Sequence, residues 1–539
     1  MGKADDIDFV HGTVYLVDVI GTMNVKKEDG NDIILQPQPT NDPNDPLTWS
    51  KTKKHLQFAI VWVWAFLLAA TSNFVGPLFT TWLTDLNTTA NQIGVFIALG
   101  FLALMIGVTI VQPTGLKLGK YGVYNVCTIL VFIAVLIGGF AKGMPEMDFF
   151  RFLSCFAAAP VDTLVEISAN DLYFQHERST AFSLLILALY AGCSLGPVAS
   201  GLILQTIGWR WCFFIQAIIY GGLFIFQILF MEDTTFRRDA HAIIEKGDYM
   251  EDESESNSVE KKGGVITTEE VKTSDESLSN VPTKKTWKQT RGWVNRRQND
   301  TRSWWTIFYR PAFLITFPAV VWSGIVYGSQ MMWLSLVANT QDMIFSAPPY
   351  NFTPQYVGFT TLGQFFGNIF GMLYGGLFVD WLAVKLAKKN NGIMEPEHRL
   401  HSMWVPFIVN AVGVITYGLG SYYGAHWAIP TVMGQGFIGF AMSSLGAICL
   451  TYAVECYHNL ASEALVLILV IRNAIGTIFS FTFQPWLAAQ GLRDLSYTLF
   501  ALSLVCNGGF LIFLKWGKDL RRWTGPRYEK YSAGAGAPH

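Results

Sequence analysis

The chain has 539 residues, of which 51% are hydrophobic and only 14% charged, with 40 Phe and 18 Trp. About a quarter of an ordinary soluble domain is charged, so a soluble globule is excluded, and the aromatic content excludes wholesale disorder. A net charge of -2 gives nucleic acid no electrostatic footing, and seven scattered Cys without a CxxC pair fit neither a disulfide framework nor a zinc site. What remains is a polytopic membrane protein.

The first fifty residues are polar, with acidic patches, Pro43 and Pro46, and read as a cytoplasmic tail without a cleavable signal peptide. A membrane helix needs roughly 20 mainly apolar residues. Six such stretches follow, over 56–78, 92–111, 123–140, 149–172, 181–204 and 209–231. A polar gap, 232–311, comes next. Its acidic, Ser-rich middle, 249–279, is expected to be disordered. Its basic end carries Trp287, Trp293, Trp304 and Trp305, and reads either as a solvated linker or as a segment lying on an anionic leaflet. Six more stretches run over 312–337, 356–382, 403–422, 428–453, 464–488 and 495–516. The expected fold is therefore all-α, with about twelve transmembrane helices. They form two pseudo-symmetric six-helix bundles, 55–231 and 312–516, between cytoplasmic tails 1–54 and 517–539 and around the cytoplasmic linker.

Lys and Arg placement sets the orientation. Lys51, Lys53, Lys54, Lys117, Lys120, Arg178, Lys385, Lys388, Lys389, Arg399, Lys515, Lys518, Arg521 and Arg522 fall on one side of this arrangement, against Lys142 and Arg493 on the other and Arg210 near it, which puts both termini in the cytoplasm. Two glycosylation sequons, at Asn87 and Asn351, fall in the opposite loops, where an acceptor must lie.

A charge inside a span is expensive and is a functional candidate. Arg151, Asp162 and Glu166 share the fourth stretch. On an uninterrupted helix Arg151 and Asp162 lie about 20° apart in projection, and Asp162 and Glu166 are one turn apart. Together they offer a proton-coupling or substrate-binding set, against the plainer reading that the acids only pair with helix ends or Arg. Arg472 lies inside the eleventh stretch, with Glu455 and Glu463 near the inner ends of the tenth and eleventh. A gate ion pair between Arg472 and one of those acids is expected, against a snorkelling Arg. Asn73, Tyr190, Tyr327, Gln330, Trp333, Gln364 and Asn368 are candidates to line a cavity, although packing is the leading reading for each taken singly. Gly363, Gly367, Gly371 and Gly375 recur every four residues, a close-packing signal. Gly76-Pro77, Gly196-Pro197 and Gln484-Pro485 are expected to kink or end their helices. There is no Walker lysine loop, GxSxG elbow or HExxH motif, so neither an ATP-driven pump nor an enzyme is expected, and no cofactor or metal.

Several segments carry a resemblance. Asp42-Pro43-Asn44-Asp45-Pro46-Leu47-Thr48-Trp49-Ser50 precedes the first span, and Gly192, Gly196, Pro197 and Gly201 sit in the fifth with Ser200 in place of one Gly. Gly208-Trp209-Arg210-Trp211 opens the sixth, Glu395-Pro396-Glu397-His398-Arg399-Leu400 lies in the second-half loop, and Tyr452, Glu455, Tyr457, Glu463 and Arg472 string across the tenth and eleventh. Over roughly 42–516 the chain resembles the major facilitator superfamily, in its fungal twelve-helix branch of drug:proton antiporters and organic-cation transporters. It departs in the first-half loop, where Gly119 stands at the expected Asp and Val123 and Tyr124 at the expected basic pair, which weakens the inner latch. Asp380 keeps its counterpart in the second half. In the fourth span Ser154 and Cys155 replace the Gln-Gly that follows Arg151.

The resemblance implies secondary transport by alternating access. Its leading form is proton-coupled export of a drug or secondary metabolite, suggested by the antiporter-type motif in the fifth span. The alternatives are proton-coupled uptake of an organic cation such as a polyamine, and a non-transporting sensor on the same scaffold. The expected partners are the lipid bilayer, a small organic substrate and protons, for a monomeric glycoprotein of the plasma membrane.

Overall fold

A computed structural model describes residues 11, 14–15, 42–173, 175–236, 286–293, 303–390 and 393–532. The stretch expected to be disordered, 249–279, and the side chain of Arg178 lie outside the described residues.

Among the described residues, eleven helical stretches are long and apolar enough to cross a membrane. The last of them bends at Gly491, whose φ of 72° and ψ of 164° lie in a region that residues with a Cβ avoid. The bend divides it into spans eleven and twelve. Spans one to six are Lys51–Asn73, Ala90–Leu118, Lys120–Phe140, Met144–Leu172 in two pieces, Gln175–Ile207 and Trp209–Phe230. Spans seven to ten are Pro318–Ser346, Pro354–Leu373 with its continuation to Lys389, Trp404–Tyr422, and Ile429–Cys456. An even number of crossings puts both ends of the bundle on one side, called here the termini side; the other is the far side. Among the described residues the only strand pairing is a short antiparallel one of Val14–Tyr15 with Ile393–Met394.

Local chemistry sets the ends. Ser50 Oγ accepts from Lys53 N at 3.4 Å at the start of span one, and Thr89 and Gln92 bond each other reciprocally at the start of span two. Of the three proline sites, only Gly76-Pro77 interrupts its helix, as a 3-10 turn over Gly76–Leu78. The helices run on through Pro197 and Pro485.

Two expectations fail for physical reasons. Span seven starts at Pro318 rather than near 312 and runs on to Ser346. The apolar residues before it form a separate helix, Trp304–Phe313, cut off by the extended backbone of Phe317 and by the proline that opens the span. Span four is not one helix. Pro160 lacks an N–H, residues Ala159–Asp162 tighten into a 3-10 turn, and Thr163 leaves the helical region at φ −135°. The uninterrupted-helix projection that placed Arg151 and Asp162 on one face therefore does not apply.

The halves meet along two seams. In one, Gly476 of span eleven lies against the Phe101 ring of span two. In the other, Thr361 Oγ1 of span eight donates to the Ser194 carbonyl of span five at 2.8 Å, and a methyl on Gly358 or Gly201 would strike backbone across the seam. Within the second half, methyls on Gly363, Gly367 or Gly371 would meet the carbonyls of Thr431, Gly436 and Phe440, so the glycine repeat is a packing surface for span ten.

Candidate functional site

Each charge in the spans finds a different place. Asp162, freed from helical register by the Pro160 turn, reaches across the seam to the guanidinium of Arg472 in span eleven. Arg472 is 4% exposed and reaches two further acceptors. Nη1 donates to Tyr327 Oη at 3.1 Å, Nε to Asn473 Oδ1 at 3.2 Å, and the guanidinium sits 4.9 Å from the centre of the Tyr327 ring. This ion pair joins the two halves deep in the bundle. The expected pairing of Arg472 with Glu455 or Glu463 is not found. Both acids lie too near the termini side and have cations of their own: Glu455 holds Arg399 and Glu463 holds Arg310.

Glu166 is the third residue of the second piece of span four, which starts at Leu164, on the termini side of Asp162. Among the described residues it makes no ion pair, and it is only partly buried. Asp162 alone bonds the guanidinium, and Glu166 stands within electrostatic reach of both. With both acids ionised the cluster carries one uncompensated negative charge, which is costly at this depth. One further positive charge neutralises it, whether a proton or a cationic group.

Arg151 stands apart from that cluster. Its Nη1 donates to the Ser72 carbonyl at 2.5 Å and its guanidinium lies 5.3 Å from the Phe96 ring. Gly100 makes room for it, since a methyl there would collide with the guanidinium. Arg151 borders a cavity of about 50 Å³ in the far-side half, with Asn73, Cys193, Gln341, Thr361 and Gln364 also on its wall. That volume holds a few waters and no organic substrate.

The other cavity candidates divide. Asn73 and Gln364 do line the cavity, Asn73 donating to Cys193 Sγ at 3.1 Å. Tyr190 donates to the Met442 carbonyl at 3.4 Å, bridging spans five and ten, and Tyr327 serves Arg472. Asn368 accepts from Ser443 at 3.0 Å, Gln330 bonds Asn507 at 3.2 Å and Trp333 is fully buried, so these three are packing residues in this conformation. In span five, Gly192 and Gly196 bring the helix onto the Phe66 and Ala70 carbonyls of span one, while Gly201 and Pro197 face span eight. Asn87 and Asn351 are exposed far-side residues, each at φ 49°.

On the termini side, Asp380 takes part in a network the sequence showed only in part. Arg399 donates to Asp380 at 2.5 Å and to Glu455 at 2.8 Å, while Arg521 grips Glu397 at 2.7 Å and 2.9 Å. Lys518 bonds Glu395 at 2.7 Å; burial pushes that carboxyl up, but Lys518 with His398 and Arg521 outweighs it and holds the acid below its usual range. In the first half, Lys120 pairs with Asp171. Sequence reasoning also missed Asp342, buried at the far-side end of span seven, because the span was read as ending at 337.

This architecture agrees with comparison to known proteins. The family model described as "Major Facilitator Superfamily" matches residues 61–480. The chain belongs to the major facilitator superfamily. Among its relatives, the MFS-type transporter C1271.10c of Schizosaccharomyces pombe is 28% identical, the match covering 94% of this chain and 90% of that one. Protein HOL1 of Saccharomyces cerevisiae is 26% identical, with 92% of each chain covered. The MFS-type transporter penM of Penicillium rubens is also 26% identical, over 91% of this chain and 89% of penM. The fold matches that of a proton:xylose symporter, XylE, bound to 6-bromo-6-deoxy-D-glucose, with a TM-score of 0.57, 12% identity, and 86% and 97% of the two chains covered. A partially occluded inward-open form of XylE from E. coli gives a TM-score of 0.56 at the same identity, covering 86% of this chain and 99% of that one. As a member of this superfamily the protein is a multi-pass membrane transporter for a small molecule.

Proposed function

We propose that the protein exchanges protons for a small organic cation by alternating access, exporting a drug-like compound or secondary metabolite across the plasma membrane. The observation that carries this reading is the charge balance around Asp162, Glu166 and Arg472. A site with two acids and one fixed cation is neutral with one added positive charge and over-charged with two. A proton and a cationic substrate therefore compete for it, which is the condition for exchange. The span-five glycines and Pro197, carried over from the family resemblance, favour the same direction. We place both termini in the cytoplasm, from the Lys and Arg distribution, and expect glycans on Asn87 and Asn351.

The second reading is proton-coupled uptake of the cation, favoured by Gly119 where the family's latch has Asp. Reconstituted vesicles with an imposed pH gradient separate the two, with a panel of organic mono- and polycations as probes. Opposite fluxes of proton and cation are expected. Cotransport in one direction would contradict exchange and favour uptake.

A further inference from the structure

Asp342 lies in the last turn and a half of span seven, 1% exposed. Its Oδ2 accepts the backbone N–H of Thr80 at 2.7 Å, and Oδ1 accepts the hydroxyl of Ser346 at 3.1 Å. Thr80 belongs to the first half and Asp342 to the second, so this bond crosses the far-side seam. It closes the same end of the bundle as the Thr361–Ser194 bond and the Gly201–Pro354 contact. Gln341, the neighbour of Asp342, lines the far-side cavity and donates to the Val357 carbonyl at 2.9 Å, so the Asp342 bond lies next to that cavity along span seven.

The groups that act on Asp342 are Thr80 and Ser346. Titratable groups on the elements around it are engaged elsewhere. Asp85 accepts from the Trp209 indole at 3.0 Å, Tyr417 bonds Thr340 at 2.8 Å, and Arg151 bonds the Ser72 carbonyl. A carboxylate differs from other acceptors in that a proton can switch it off. An ionised carboxylate makes the stronger, charge-assisted bond to an N–H. A proton removes the charge: on the Oδ2 lone pair that faces Thr80 it leaves two donors opposed, and elsewhere on the carboxyl it reduces the bond to a weaker neutral one.

We propose that Asp342 is a proton-operated latch of the far-side gate: ionised, it ties span seven to the Thr80 segment; protonated, it lets that side open. The latch is separate from the Asp162 cluster. It rests on alternating access but not on the identity or direction of the substrate.

Cys193 gives a native readout, because it lines the cavity beneath the latch. The full chain is reconstituted in phosphatidylcholine vesicles, and a membrane-impermeant maleimide is confined to the far side, with Cys193→Ser as the blank. Lowering the far-side pH from near-neutral to mildly acidic should speed Cys193 labelling. Thiol chemistry alone would slow it, because the thiolate is the nucleophile. Asp342→Asn, the neutral mimic, should label about tenfold faster than wild type near neutrality, with no acid acceleration, as expected for loss of one charged hydrogen bond. The pH response of the unaltered protein tests the latch without any variant. Labelling that slows with acid in wild type, or matches in wild type and Asp342→Asn, would overturn the latch. If cation-driven transport persists in that case, the latch alone is wrong; if transport is also absent, alternating access fails with it.

Discussion

Asp162 and Arg472 hold the two halves together and, in the proposed mechanism, also carry the coupling. Removing Asp162 leaves Arg472 buried without its bonded counter-ion, because Glu166 makes no ion pair with it. Asp162→Asn is therefore expected to cost ~3 kcal/mol of stability, read as a lowered thermal midpoint in detergent. Adding Arg472→Gln should recover most of that loss, because two neutral amides need no counter-ion. Recovery of stability by the double variant would separate the structural role of the pair from coupling; failure to recover it would show that the pair is not the source of the loss. The pairing was not legible in the sequence. Spacing along a helix exposes neighbours three or four residues apart, whereas these partners are 310 residues apart. Glu455 and Glu463 looked available only because Arg399 and Arg310 fold back onto them from outside the spans.

At the level of elements, hydropathy located the spans well and their irregularities poorly. Apolar runs mark where a chain can cross, but a run does not say whether it belongs to one helix or two. The stretch before Pro318 is apolar because Trp304–Phe313 is two-faced. Ile307 and Pro311 are buried, Arg310 reaches Glu463, and Trp305, Tyr309 and Phe313 are exposed. Reading it as part of span seven displaced that span's far end, and Asp342 was lost with it. The Pro160 turn had a local signal in its proline, yet the result, a carboxylate turned toward the other half, needed the partner helix to be seen. Gly491 sets the turn between spans eleven and twelve through its backbone alone, since nothing lies within 4 Å of where a Cβ would stand. Gly491→Ala is expected to cost about 1–3 kcal/mol purely from backbone strain. An unchanged thermal midpoint for that variant would mean that the turn relaxes into another conformation.

In the molecule as a whole, a six-plus-six division, a polar linker and one-sided Lys and Arg were enough to read two bundles from sequence, because membrane insertion imposes them residue by residue. The conformational state was not readable, since it depends on which seam contacts are made. Here the far side is closed by Thr80–Asp342 and Thr361–Ser194, and the cavity beneath is too small for an organic substrate. In the proposed exchange those bonds break while the Asp162 cluster passes its positive charge from one side to the other. The most direct test is proton flux into wild-type and Asp162→Asn/Arg472→Gln vesicles, followed with an internal pH dye after an organic cation is added on one side. Wild type should move protons against the cation, and the double variant should move none while keeping its fold. Equal cation-driven proton flux in both proteins would contradict the central role of this pair.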